Sequence, residues 1–165
     1  VISASNDDSG ILSTHLHSEG KFAEELAVIK PATTFWIDKI KNDDNEDGSG
    51  YSPYMNGNFV FKNAVVRFEQ VISEALNHSN LKKEDISLLI THQANLRISQ
   101  YIQKRLNLSD SQVFNNIMKY GNTTAASIPI ALSEAYESNL IKKGDIIVLA
   151  AFGSGFTWGS ALIKW

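Results

Sequence analysis

Between Asn58 and His78, apolar residues recur at Val60, Phe61, Ala64, Val65, Phe68, Val71, Ile72, Ala75 and Leu76. Spacings of three and four leave one broad apolar face, which predicts a long helix lying on a core. Leu96, Ile98, Tyr101, Ile102 and Leu106 repeat that spacing over a shorter helix. Other apolar runs are short and unbroken. Ile86–Ile90, entered from Lys82-Lys83-Glu84-Asp85, reads as a buried strand. Ile146–Phe152 reads as a strand covered on both faces. Gly153-Ser154-Gly155 then makes a tight turn, and Phe156–Ile163 returns as the last strand. Val113-Phe114 is a short strand candidate. Thr123–Tyr136 is a helix of small residues in which Pro129 must sit early or cause a kink, since proline lacks the backbone donor. At the start, Val1–Ser5 and Ile11–His17 flank a polar turn ending at Gly10, which predicts a hairpin.

The order is therefore two strands, a long helix, a strand, two helices and two strands, a mixed α/β layer structure. Residues 42–50, Asn-Asp-Asp-Asn-Glu-Asp-Gly-Ser-Gly, offer nothing apolar to bury and read as a solvent loop. Their Asp and Asn spacing resembles part of a calcium loop, but the closing Glu of that pattern is missing. No internal repeat or low-complexity tract is visible.

Composition narrows the function classes. With 165 residues and 43% hydrophobic residues, the chain has the make-up of one globular domain with a sizeable core. Fifteen Lys+Arg against 18 Asp+Glu give a net charge of −3, without the basic surplus of a nucleic-acid binder. No stretch approaches the ~20 apolar residues of a membrane-crossing helix. The opening Val1-Ile2-Ser3-Ala4-Ser5 lacks the basic and apolar regions of a signal peptide. It begins within a strand-like run without a Met, which predicts that an upstream piece has been cut away, a processed mature terminus being the alternative. There is no cysteine, so this stretch can supply no disulfide, thiolate metal site or Cys nucleophile.

Three clusters are candidates for chemistry. His92 follows the buried run 86–90, within Thr91-His92-Gln93-Ala94-Asn95, and α/β folds gather active groups at the carboxyl ends of strands. A core-edge histidine with one hydrogen bond is the plain alternative. Gly121-Asn122-Thr123-Thr124-Ala125-Ala126-Ser127 places an Asn before a helix, either to cap it or to offer its amide to a cavity. Gly153-Ser154-Gly155 can turn backbone N–H groups toward a ligand, as an oxyanion hole does, or be an ordinary turn. Phe152 and Phe156 replace the outer glycines of a Gly-x-Ser-x-Gly elbow, which argues against a serine hydrolase. His15 and His17 share one strand face but show no third metal ligand; His78 suits a helix C-terminus.

Taken together, Thr91–Arg97, Tyr120–Ser127 and Ala151–Gly159 closely resemble motifs in the C-terminal half of β-ketoacyl-acyl-carrier-protein synthase III. That family of condensing enzymes starts type II fatty acid synthesis. Ser13–His17 and Gly57–Lys62 look like the same family, so the resemblance runs from about residue 11 to Trp165; only 30–55 is unlike it. The resemblance implies a thiolase-like α/β fold, here its C-terminal half, with a mixed five-stranded sheet packed with helices.

It also implies a Cys-His-Asn triad in which His92 and Asn122 are the His and Asn, and whose Cys belongs to an N-terminal half. The Cys takes an acyl group from acetyl-CoA and passes it to the carbanion formed by decarboxylating malonyl-acyl carrier protein. By the same resemblance, the backbone N–H of Ser154 serves an oxyanion. Many relatives carry Gly or Ala at that position. Phe152 resembles the aromatic lining the acyl pocket, and Gly57 and Asn95 resemble positions meeting the pantetheine arm. Lys62, Arg97, Lys104 and Arg105 resemble positions that dock the acidic carrier protein, although a solvated helix face is the alternative. The implied setting is the bacterial cytoplasm, with no cofactor beyond the two substrates. The implied partners are acyl carrier protein, the N-terminal half and a second copy in a homodimer; no metal, nucleic acid or membrane is expected. A condensing enzyme with another acyl primer and a non-catalytic carrier-binding module are the alternatives. A thiolase proper would place a second Cys in the Gly-rich turn.

Overall fold

A computed structural model describes residues 4, 6–28 and 53–165. Its main sheet has the order β1-β6-β5-β4. The strands are β1 (Gly10–Ser18), β4 (Leu88–Thr91), β5 (Ile146–Gly153) and β6 (Thr157–Lys164). The short strands β2 (Leu26–Ala27) and β3 (Tyr54–Met55) pair separately. The pair β4–β5 is parallel, whereas β5–β6 and β6–β1 are antiparallel. The helices are α1 (Gly57–His78), α2 (Leu96–Leu106), the single turn α3 (Ile117–Tyr120) and α4 (Ser127–Glu137).

Alternation along the central strands divides the core. Leu89 and Val148 point to one face, where they meet Phe68, Ile72 and Leu76 of α1 and Ile102 and Leu106 of α2. Leu88, Ile90 and Ile147 point to the other face, against Ala131 and Ala135 of α4. All four residues of β4 are buried, as a parallel strand covered by helices on both sides requires. Each fully buried aliphatic side chain of this kind contributes about 1.5–3 kcal/mol. Asn56 caps α1 by accepting the Phe59 N–H at 3.4 Å.

Three expectations change in detail. Val113 contributes only a single parallel bridge to Leu89, so among the described residues the main sheet has four strands and one bridge where a fifth strand was expected. The cause is nearby: the Gln93 side chain accepts from Asn116 N (3.0 Å) and Ile117 N (3.2 Å), drawing the chain away from the sheet edge. Phe156 does not open the last strand but sits in the turn with φ 51°. The third change concerns the small-residue helix, which begins with a 3-10 turn at Thr124–Ala126 before α4. Pro129 then falls in the first turn of α4, where no intrahelical donor is lost. The expected strand Val1–Ser5 lies outside the described residues apart from Ala4, which is not in a strand, and the 42–50 loop lies wholly outside them.

Gly159 of β6 faces Leu16 of β1. A Cβ there would stand 2.7 Å from Leu16 Cδ2 and 2.8 Å from the His15 carbonyl oxygen. The backbone oxygen cannot swing aside. Gly159→Ala is therefore expected to cost about 1–3 kcal/mol, the usual range for overpacking. The urea midpoint measures it, and an unchanged midpoint would mean that the two strands separate freely at this point.

Candidate functional site

An open groove of about 1690 Å³ runs across the carboxyl ends of β4 and β5, and His92, Asn122, Asn95, Gly57, Phe152, Ser154 and Arg97 all line it. Residues spread over 97 positions of sequence thus line one groove. Lys62, Lys104 and Arg105 lie outside it.

His92 leaves β4 with its backbone N–H donated to Ala150 O of β5 at 2.8 Å, so the sheet itself sets the ring's starting point. The half-buried imidazole contacts Ser127 Oγ through Nδ1 at 2.6 Å. Burial pushes its pKa below the ordinary 6.5, so the ring is neutral at physiological pH. Asn122 is exposed on the groove wall, and its Oδ1 accepts the Thr124 N–H at 2.9 Å. That bond identifies the amide oxygen and leaves Nδ2 as the donor available to the groove. Both Gly121 (φ 69°) and Thr124 (φ 52°) have left-handed backbone around Asn122. For a β-branched residue this is strained, and strain of this kind gathers where function fixes geometry.

The segment leading to Asn122 is clamped from below. Glu134 of α4 accepts from Asn116 Nδ2 (2.8 Å), Tyr120 Oη (2.6 Å) and Lys119. Those donors hold its carboxyl down at about 2, below the ordinary 4.5, while Lys119 is pushed up by the same pair. With a lowered folded value, the clamp's contribution is complete above 4.5 and is lost as pH falls toward 2. Glu134→Gln is thus expected to lower the thermal midpoint at pH 7 and to have progressively less effect on acidification. An equal effect at pH 2 and pH 7 would remove the charge from this account.

The β5–β6 turn, which also lines the groove, carries Ser154. Its Oγ donates to Leu26 O at 2.8 Å, and Gly155 N reaches the same oxygen at 3.4 Å. Among the described residues, the Ser154 N–H itself donates to no protein acceptor, as an oxyanion donor requires. Phe152 is buried, its ring edge-on to Phe156 (5.1 Å between centroids) and stacked with Trp158 (6.4 Å). Asn95 caps α2 by accepting the Arg97 N–H at 2.9 Å, and its Nδ2 has no hydrogen-bond partner among the described residues. Gly57 has open space where a Cβ would stand, so nothing within the described residues demands glycine there.

The four basic positions do not behave alike. Arg105 is tied to Glu69 of α1 through Nε (3.0 Å) and a terminal nitrogen (2.6 Å). Arg97, Lys104 and Lys62 are exposed and have no ion-pair partner among the described residues. Tyr101, in the same α2 stripe, packs edge-on against Phe61 at 6.0 Å, beside the groove. His15 and His17 both turn to Glu74, at 3.3 and 2.6 Å, and His78 stands edge-on to His15. Among the described residues no cluster of His, Asp or Glu is arranged to hold a metal ion.

Two groups around His92 had no separate signal in the sequence. Gln93 is 3% exposed and uses its amide on both sides, donating to Thr91 O at 2.8 Å and accepting from Asn116 N and Ile117 N. Ser127 is 2% exposed and reaches His92 across 35 positions of sequence. Both lie within the sequence motifs, but only the fold shows what their side chains touch.

Comparison with known proteins agrees with this layout. The family model for the C-terminal part of 3-oxoacyl-[acyl-carrier-protein] synthase III matches residues 76–165. The chain is 40% identical over 164 residues to a β-ketoacyl-[acyl-carrier-protein] synthase III from Aliivibrio fischeri, covering 99% of this chain and 48% of that protein. A Clostridioides difficile protein of the same name is 45% identical over 159 residues, covering 96% of this chain and 47% of its own length. The crystal structure of 3-oxoacyl-[acyl-carrier-protein] synthase III from Aquifex aeolicus superposes with a TM-score of 0.84 at 41% identity, over 99% of this chain and 47% of that one. The Thermus thermophilus enzyme gives 0.86 at 37% identity, over 99% and 49%. The chain spans about half the length of the curated relatives it matches.

Proposed function

From a chain that belongs to the 3-oxoacyl-[acyl-carrier-protein] synthase III family and has its thiolase-like fold, we propose the C-terminal half of a decarboxylating condensing enzyme. Its substrates are an acyl-CoA primer, acetyl-CoA in the simplest case, and malonyl-acyl carrier protein. The observation that carries this reading is that a neutral His92 and an oriented Asn122 amide line the same groove. Loss of CO2 from a malonyl thioester leaves an enolate oxygen. Two neutral N–H donors stabilise it without bringing a second charge to be desolvated. The Ser154 N–H serves the other oxyanion, formed when a thioester is attacked at the nucleophile. That nucleophile, a Cys, comes from an N-terminal half, because this sequence has none. The enzyme works in the bacterial cytoplasm as a homodimer.

Incubation of this chain alone with radiolabelled acetyl-CoA is expected to leave it unlabelled, since covalent transfer needs a nucleophile. Addition of a Cys-bearing N-terminal half should restore labelling and, with malonyl-acyl carrier protein, release of CO2. Stoichiometric labelling of the isolated chain would sink the assignment.

Carrier docking rests on Arg97 and Lys104, which are exposed without an ion pair, with Lys62 on the adjacent helix. Exposed cations of this kind guide the encounter with an acidic partner. Arg97→Glu with Lys104→Glu in the full-length enzyme should raise KM for malonyl-acyl carrier protein about tenfold, roughly 1.4 kcal/mol. KM for acetyl-CoA should move less. Arg105→Glu should matter less for docking, because its guanidinium is already committed to Glu69. An unchanged carrier KM would leave these cations as a solvated face and put the partner surface elsewhere.

A further inference from the structure

The contact beneath His92 fixes more than the ring's position. Ser127 Oγ accepts the backbone N–H of Gln93 at 3.3 Å and stands 2.6 Å from His92 Nδ1. The hydroxyl is buried, and among the described residues it has no other hydrogen-bond partner. A serine hydroxyl has one proton to give, and this one has a single nitrogen within reach to take it. If Nδ1 carried the ring proton instead, the hydroxyl proton would be left unpaired inside the protein, the costlier arrangement. Nε2, by contrast, has no partner among the described residues, on a ring that lines the groove.

We propose that Ser127 is a positioning residue that donates its hydroxyl proton to Nδ1 and so holds His92 as the Nε2–H tautomer. The inference rests on the functional reading above and deepens it: a neutral imidazole can stabilise an enolate only through a nitrogen that bears the proton and faces the substrate. Left without a partner on Nδ1, the ring would divide between tautomers and rotate, and part of the population would present a lone pair to the oxyanion. Ser127 also reaches His92 from the first residue of α4, five positions after Asn122, so one segment sets both donors.

The test is the tautomer itself, read from nitrogen-15 shifts of the imidazoles in the intact protein that carries this chain, labelled at histidine. His92→Gln identifies the resonances. The wild-type ring is expected as the Nε2–H form alone above pH 7, and Ser127→Ala as a mixture of forms. The same variant should slow malonyl decarboxylation roughly 10- to 100-fold, by analogy with the loss of the partner that orients a metal-bound imidazole. Self-acylation from acetyl-CoA should change far less. A wild-type ring in the Nδ1–H form would overturn the proposal even if Ser127→Ala failed to fold. So would an unchanged pure Nε2–H form in a folded Ser127→Ala. A protein with no condensing activity but with the expected tautomer would overturn the functional reading and leave the role of Ser127 standing.

Discussion

Replacing His92 or Asn122 with alanine in the full-length enzyme is expected to slow malonyl decarboxylation by ~10²–10³, about 2.7–4 kcal/mol, the effect of losing one preorganised oxyanion donor. Acylation by acetyl-CoA should suffer much less, because on the proposed reading its tetrahedral oxygen is served by the Ser154 N–H instead. On the proposed reading both donors act on one enolate oxygen, so the two losses should not add and the double variant should resemble the worse single one. Burial lowers the His92 pKa, so the acid limb of the decarboxylation rate is expected below 6.5, with a flat rate above it. Stability follows the same shift. The unfolded chain takes up the proton first, so the contribution of neutral His92 is complete above 6.5 and is lost as pH falls through the folded value. Initial rates of CO2 release and of enzyme acylation, measured separately, check the argument. Equal damage to both half-reactions would place His92 and Asn122 in some other role.

Most of the layering was legible in the sequence because it rests on periodicity. The 3.6-residue repeat from Val60 to Leu76 left only one way for α1 to lie on a sheet, and the unbroken run at 146–152 marked a central strand. What periodicity could not give was the outcome of competition between side chains and the backbone ladder. Val113-Phe114 has the composition of a strand, but the Gln93 amide captures the backbone N–H groups of Asn116 and Ile117, two and three positions further on, and only a single bridge forms. Phe156 reads as the first residue of a strand, whereas burial of its ring pulls it back into the turn.

The positions of the candidate residues were legible for a different reason. His92, Asn122 and Ser154 each sit where a strand or helix begins or ends, next to small residues, and that local arrangement survives in the fold. Charge was harder. Arg97, Lys104 and Arg105 share helical spacing, yet the reach of Glu69 from α1 separates Arg105 from the others, and no spacing rule within one helix shows a carboxylate on its neighbour. His15 and His17 likewise face one way, as strand alternation requires, and what they meet is the Glu74 carboxylate.

Phe156→Ala is expected to be the most destabilising of the substitutions considered, at about 3–5 kcal/mol, the range for emptying a buried aromatic site. The ring is 0% exposed and lies within 5.1–5.8 Å, centroid to centroid, of Phe152, Phe22 and Phe59. Phe22 and Phe59 come from distant stretches of chain, so no single neighbour can move in to fill the space. The backbone does not confuse the comparison. At φ 51° phenylalanine and alanine meet the same left-handed penalty, and the difference between them is the side chain. Phe156 also anchors the turn from behind, accepting the Glu19 N–H on its carbonyl at 2.8 Å while Ser154 and Gly155 hold Leu26 O. Loosening the ring should therefore let the Ser154 N–H drift, lowering stability and, on the proposed role of that N–H, slowing acylation, whereas His92 and Asn122 keep their own supports. Phe156→Leu, which refills most of the space, should recover much of both losses. Denaturant midpoints of the three proteins and acylation rates of the full-length enzymes test this together. A loss below about 1 kcal/mol for Phe156→Ala, no more than an average substitution, would mean that the turn and its donor are held by the Leu26 contacts and not by the aromatic core.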